Sequence, residues 1–304
     1  MLAHLEQRLT FHQLDAYRAQ AFPVTDYDPQ SDRFVIFSDA HKGDYRRTVD
    51  EFKPNEAIYC QALQYYLDHD YRLILNGDME EGWKNRYENI MAAYENSVYA
   101  LEGQFAAMGA QHYLKIWGNH DSDWRDERIV DKYLCGVLKH KTTVHPAVSL
   151  GGKIIITHGH QGEPNNDGRF ALVSRWVVRY IWYYTQKLLD LERKVMGDFN
   201  HPLGRRERHL YQWARSRKML LIAGHTHRPM FHDLPNVPNP VNARPQQLTP
   251  YYINSGSCLS KDEITAIEVD RGEIRLINWS RSDEPQASRE IYQRADLGRM
   301  LACI

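Results

Sequence analysis

The sequence predicts an α/β fold. Three observations carry that reading. Short apolar runs alternate with helical stretches in the first half of the chain, nearly every run ends in a polar cluster, and those clusters are rich in Asp and His. Alternating strand and helix is the pattern of a sheet with helices packed on it. In open α/β sheets ligands bind just beyond the carboxyl ends of the strands. The clusters therefore mark where chemistry is expected.

The elements follow in order. Met1 to Ala21 spaces Leu2, Leu5, Leu9 and Leu14 as an amphipathic helix and lacks the apolar core of a signal peptide. Arg33 to Ser38 reads as a buried strand and runs into Asp39-Ala40-His41. Tyr71 to Leu75 precedes Asn76-Gly77-Asp78, and His112 to Trp117 precedes Gly118-Asn119-His120-Asp121. Between them, Asn55 to His69 and Asn89 to Met108 carry apolar residues at three-to-four spacing, which predicts helices. Lys153 to Thr157 leads to His158-Gly159-His160, and Lys218 to Ala223 leads to Gly224-His225-Thr226-His227. Tyr251 to Asn254 leads to Ser255-Gly256-Ser257. Glu263 to Val269 and Glu273 to Trp279 alternate around Asp270-Arg271-Gly272, a hairpin pattern.

Residues 161–217 break this rhythm. They are rich in Arg, Tyr and Trp, are predicted helical over 169–195, and read as an insertion within a single domain spanning 1–304. Trp176, Val177, Tyr180, Ile181, Tyr184, Leu188 and Leu189 form a stripe that either packs on the core or lines a lid. Arg169, Arg175 and Arg179 interleave with it, as phosphate contacts or as a solvated face. Pro229 to Pro250 reads as a proline-rich loop.

Composition narrows the class. Net charge is -1 at pH 7, so no broad electrostatic footprint for nucleic acid is expected. Cys60, Cys135, Cys258 and Cys303 are far apart and read as free thiols of a reducing, cytoplasmic setting. The most apolar stretch, Ala171 to Leu191, is interrupted by Arg175, Arg179 and Lys187 and does not match the roughly 20 apolar residues of a membrane span. Peripheral membrane contact, if made, is expected through the insertion. Gly77, Gly118 and Gly224 are expected to let the strand ends turn sharply.

Carboxylate, amide and imidazole donors together suit first-row divalent ions such as Mn, Fe, Zn or Co. Asp39, His41, Asp78, Asn119, His158, His225 and His227 are too many for one ion and fit a pair, which sits about 3.5–4 Å apart in two-metal sites. Asn119 has a second reading as the cap of a turn.

The order D-x-H, G-D, G-N-H-D, H-x-H, G-H-x-H, spread from Asp39 to His227, resembles the calcineurin-like metallophosphoesterase family. Asn254 to Ser257 is similar to the family's N-x-G-S turn. The resemblance implies a four-layer αββα sandwich and two divalent ions, Mn foremost. It implies that Asp39, His41 and His227 bind the first ion, that Asp78 bridges, and that Asn119, His158 and His225 bind the second. A bridging water or hydroxide would be the nucleophile. His120 would face the substrate as hydrogen-bond donor and acid, and Asp121 would orient or neutralise it. Asp121 also reads as a cap for the next helix.

The run from Asp78 to Lys84 and the wording of Gly224 to Pro229 resemble the branch containing bacterial UDP-2,3-diacylglucosamine pyrophosphohydrolase. So does the position of the insertion. His120, where many members of that enzyme type carry Arg, and the N-S-G-S turn depart from it. The expected activity is hydrolysis of a phosphodiester or pyrophosphate bond in a small, nucleotide-linked or lipid-linked phosphate ester. A phosphomonoesterase or protein phosphatase is the alternative enzyme, and a non-catalytic scaffold the alternative to an enzyme. Lys42, Arg46, Arg47 and Trp83 are the expected substrate contacts. His160 is a further one, unless it is a supporting or core histidine.

Overall fold

The structure, a computed structural model, describes residues 2–46, 50–163, 203–231, 251–281 and 286–304, and the side chains among them from residue 5 onward. Helix α1 (Leu2–Ala19) opens the chain. Then come β1 (Phe22–Val24), β2 (Arg33–Phe37), α2 (Glu56–Asp68), β3 (Arg72–Asn76), α3 (Tyr87–Tyr94), α4 (Val98–Ala107) and β4 (Tyr113–Ile116). Helices α5 (Glu127–Ile129) and α6 (Cys135–Leu138) flank a π turn. Strands β5 (Val144–His145), β6 (Val148–Leu150) and β7 (Ile154–Ile156) precede α7 (Arg205–Arg217), β8 (Leu220–Ala223), β9 (Met230–Phe231) and β10 (Tyr252–Asn254). Strands β11 (Glu263–Asp270), β12 (Glu273–Ser280) and β13 (Ser288–Asp296) and helix α8 (Leu297–Ala302) close it.

Among the described residues the strands form two mixed sheets, ordered β1-β6-β7-β8-β10-β9 and β13-β12-β11-β2-β3-β4-β5. Three apolar clusters show how they stack. Phe34, Ile36, Ile74 and Leu114 of one sheet meet Ile154, Ile156, Leu220 and Ile222 of the other between the sheets. The alternate residues Val35, Phe37, Leu73 and Leu75 point outward onto α2, α3 and α4. Ile155 and Leu221 point outward from the second sheet onto Leu14 of α1 and Leu210 and Trp213 of α7. Period-two alternation within runs that are apolar throughout is what covers both faces of each sheet. The result is the four-layer αββα sandwich.

The differences from expectation have local causes. The helix predicted over 89–108 is two helices. The Ser97 hydroxyl bonds the Tyr94 carbonyl and Glu56, and such a side chain competes with the helical ladder. On α1 the buried face is Thr10, Leu14 and Tyr17, while Leu5 and Leu9 are exposed. Short strands β1, β5, β6 and β9 carry too few residues for alternation to register. Strand β13 shows no apolar alternation because none of its own residues is buried. The predicted helix over 169–195, with its aromatic stripe and three arginines, lies outside the described residues, as does most of the proline-rich loop.

Helix α7, assigned from sequence to the insertion, is part of a core layer. Trp213 is fully buried and its indole donates to Asp15 of α1. Trp213→Ala should therefore cost about 3–5 kcal/mol of global stability, read by chemical denaturation. A change below about 1 kcal/mol would return α7 to a detachable insertion.

Candidate metal centre

Five strands end at one crease of the sandwich. From β2, β3 and β4 of one sheet come Asp39 and His41, Asp78, and Asn119 and His120; from β7 and β8 of the other come His158, and His225 and His227. Asp39, His41 and His227 bring one donor atom each within 4.8 Å of one another, and so do Asp78, His158 and His225. The two groups abut. His227 Nε2 is 3.2 Å from Asp39 Oδ1 and 3.3 Å from His41 Nε2. His158 Nε2 is 3.1 Å from Asp78 Oδ2, and His41 Nε2 is 3.7 Å from that same oxygen. Asn119 rides on the same loop: Gly118 before it packs on Asp78, and the N–H of His120 after it donates to Asp78 Oδ1 at 2.7 Å.

These residues fit a divalent cation. Asp39 Oδ1, Asn119 Oδ1 and His158 Nε2 are buried with no hydrogen-bond partner. Each such group ordinarily costs about 1–3 kcal/mol, and two of them, Asp39 Oδ1 and His158 Nε2, lie 3.9 Å apart. His158 Nδ1 donates to the Asn76 carbonyl at 2.9 Å, which fixes Nε2 as the nitrogen facing the carboxylates. Burial opposes ionisation of Asp78, yet His158, His120 and His41 hold it far below the usual carboxylate range. Burial likewise works against a charge on His158, but Asp78 and Asp39 push its pKa up to about 10. The two carboxylates thus favour positive charge at this point, as a cation site requires. Burial pushes His41 and His225 the other way, toward the neutral imidazole.

The backbone carries its own mark. Asp39, His41, Asp78, His225 and His227 all have positive φ, between 49° and 68°. Non-glycine residues in this region cost on the order of 1–3 kcal/mol each and cluster at functional sites. Gly118 serves close approach rather than a special φ: a Cβ there would lie 2.1 Å from Asp78 Oδ1.

The structure relocates several expected residues. Asp121 does not orient His120. Its carboxylate is buried and accepts the N–H groups of Gly118 at 2.6 Å and Met79 at 2.8 Å, and its side chain caps no helix. It ties the Asn119 loop to the Asp78 loop. Burial and the nearby Asp78 and Glu80 raise its pKa to about 7. Lys42 is not a phosphate contact. It is fully buried and sits 2.9 Å from Glu102 and 3.2 Å from Glu80, which also binds Lys115. Burial opposes its charge, and the two carboxylates offset that cost. Arg46 is exposed and pairs with Asp44; Arg47 lies outside the described residues. Trp83 is buried, donates to the Asn119 carbonyl at 2.8 Å and stacks on His120, so it supports the site from below. His160 is buried behind His158, edge-on to Tyr17, and burial keeps it neutral.

Sequence reasoning missed two acids. Glu81 lies 2.9 Å from His120 Nδ1 and 3.4 Å from His41 Nδ1, a role hidden in the E-x-W run after Asp78. Glu163 lies 3.0 Å from His225 Nε2. Nothing in the sequence flags that contact, which spans 62 positions.

No protein-family model matches the chain, and no match is found among curated proteins. Solved structures similar to it include a protein described as a 5′-nucleotidase from Staphylococcus aureus, in complex with α-ketoglutarate. It aligns at 13% identity and TM-score 0.35 over 87% of this chain and 54% of that one. Vacuolar protein sorting 29 from Cryptosporidium parvum aligns at 13% and 0.35 over 89% and 100%. A 5′-nucleotidase from Candida albicans aligns at 11% and 0.32 over 89% and 52%. The chain spans about half the length of the two nucleotidases. Likeness at this level says nothing about reaction or substrate. No helix among the described residues is long and apolar enough to cross a membrane.

Breaking the buried ion pair under the site tests the new place of Lys42. Lys42→Met should destabilise the protein by about 3–5 kcal/mol by stranding a carboxylate, and Lys42→Met with Glu102→Leu should recover much of that loss. Denaturation midpoints of the single and double variants read it. A neutral single variant would return Lys42 to the surface.

Proposed function

We propose that the chain is a metal-dependent phosphoesterase of the calcineurin-like type. The carrying observation is the convergence of Asp39, His41 and His227 with Asp78, His158 and His225 at the crease between the sheets, beside the Asn119 loop. Two divalent ions held there would lower the pKa of a water to make it a nucleophile and would neutralise the phosphoryl oxygens. Asp78, between the two groups, is the residue that would link them.

The chain's own residues handle the leaving group. His120 stacks on Trp83 with ring centroids 4.0 Å apart and planes at 15°. Glu81 holds its Nδ1, which leaves Nε2 as the atom that can donate a proton. Burial disfavours the imidazolium, but Glu81 and Asp78 outweigh it and raise its pKa. A charged acid is most useful for an alkoxide, which leaves poorly, and least useful for a phosphate. This favours an ester of an alcohol, phosphodiester or phosphomonoester, over a pyrophosphate bond. The burial of Lys42 points the same way, since it removes one expected contact for a second phosphate. A small-molecule ester, nucleotide- or lipid-linked, is the substrate class to screen first. A non-catalytic scaffold is disfavoured because none of the seven expected ligands is replaced in the sequence.

Elemental analysis should find about two divalent ions per chain after Mn loading, and Asp78→Asn should abolish turnover of a chromogenic phosphodiester. His120→Ala should keep the metal and lose on the order of 10²–10⁴ in rate on an alkyl ester, with little loss on a substrate whose leaving group is acidic. Equal loss on both would remove the acid role.

Metal uptake should also be pH-linked. In the metal-free protein His158 titrates near 10 and is protonated at pH 7. Binding a cation must expel that proton, so affinity should rise by up to about tenfold per pH unit between 7 and 10. Calorimetry in buffers of different ionisation enthalpy should count roughly one proton released per chain. None released would contradict His158 as a ligand.

A further inference from the structure

One guanidinium stands behind both imidazoles of the Asp78–His158–His225 group. Arg206, on the first turn of α7, donates through Nε and Nη2 to the Gly159 carbonyl at 2.8 and 2.5 Å, and through Nη2 to the Gln161 carbonyl at 2.7 Å. Its Nη1 donates to Thr10 Oγ1 of α1 at 2.8 Å. Its Nε also lies 3.4 Å from Glu163 Oε1, and the other oxygen of that carboxylate is 3.0 Å from His225 Nε2. The loop from His158 to Glu163 is closed from inside as well. The buried Gln161 side chain accepts from the Gly159 N–H and donates to Thr157 Oγ1, both at 3.0 Å. Gly162 presses on the α1 backbone, where a Cβ would lie 2.6 Å from Thr10 Cα.

We propose that Arg206 and Glu163 are positioning residues for this half of the metal centre. Arg206 fixes the backbone just after His158 and also orients Glu163, which holds His225. A carboxylate behind a ligating imidazole fixes its ring and raises its basicity. A planar guanidinium fork can bind several acceptors in one fixed geometry, which Lys cannot. The contacts of Arg206 and Glu163 lead to the backbone beside His158 and to the His225 ring, so the effect should fall on the ion those two would hold. The inference rests on the two-metal reading above.

The test titrates Mn2+ into the metal-free full-length protein, wild type against Arg206→Met and Glu163→Gln. Calorimetry reads the two dissociation constants, and electron paramagnetic resonance at two equivalents separates an exchange-coupled Mn pair from a single ion. Both variants should weaken one binding step, Arg206→Met by about 10–100-fold and Glu163→Gln by less, with the other step within about threefold. The resonance should change from the coupled pair to the single-ion pattern. Both steps unchanged, or both weakened alike, would overturn the proposal. Should Arg206→Met fail to fold, Glu163→Gln decides alone, because it keeps the size of the side chain and removes only its charge. A wild type that takes up no Mn2+ would instead overturn the metal-centre reading.

Discussion

Asp78 is a carboxylate almost wholly removed from water, in the crease between two sheets. An ionised group in such a place costs several kcal/mol unless its surroundings answer the charge. The neighbourhood of Asp78 is that answer. The His120 N–H donates to one oxygen, and His158 and His41 face the other. Gly118 has no side chain because Asp78 fills the space one would need. Asp121, a second buried carboxylate, spends its oxygens on the N–H groups of the two loops that hold Asp78 in place. Asp78 and Asp39 in turn raise the His158 pKa, and Asp39 Oδ1, Asn119 Oδ1 and His158 Nε2 remain without hydrogen-bond partners.

The same constraint explains the layer below. Glu80 and Lys42 pair in an isolated parallel bridge between the loops carrying Asp78 and His41. With Lys115 and Glu102 they form a buried set of two cations and two anions, completed by Tyr99, Tyr113 and Trp124. Apolar residues of similar volume would stabilise a core as well or better. Placed one residue from His41 and two from Asp78, the set has directional bonds that apolar packing lacks. It holds against each other two loops whose ligands sit in the left-handed backbone region. Strain of that kind persists only where surrounding contacts over-determine the conformation.

The sequence showed the strands that enter the crease because they are apolar throughout and end abruptly in Asp, Asn or His. Residues as far apart as Asp39 and His227 could be grouped because each follows the carboxyl end of such a strand, where ligand sites of α/β sheets lie, and because the order of the motifs resembles one family. What stayed hidden depends on contacts that no local pattern encodes. Lys42 looked like a surface cation, because Glu102 lies 60 positions away and nothing near Lys42 announces it. Asp121 looked like a partner for its neighbour His120, yet the loop turns its side chain back toward Gly118 and Met79. Helix α7 looked like the end of an insertion, because its high Arg content conceals that Leu210, Trp213 and Ala214 share one buried face.

Helix α1 completes the argument about where the site ends. Its leucines suggested a face built on Leu2, Leu5, Leu9 and Leu14; Leu14 is buried as expected, but with Thr10 and Tyr17, while Leu5 and Leu9 are exposed. Thr10 and Tyr17 contact the loops around the crease, while Leu14 packs on the outer face of the second sheet. Thr10 accepts from Arg206, and Tyr17 lies edge-on to both His160 and Trp117, close behind two ligand-bearing loops. Polar and aromatic residues on that face cost the helix apolar burial. In return they join it to the loops after β4 and β7, the strands that deliver Asn119 and His158. The half of the centre built from the second sheet is thereby braced by an element that precedes both sheets in the chain. The half built on β2 is braced by the buried charges around Lys42. Two groups of residues supported by different means can respond separately to substitution, although His158 of one and His41 of the other both face Asp78.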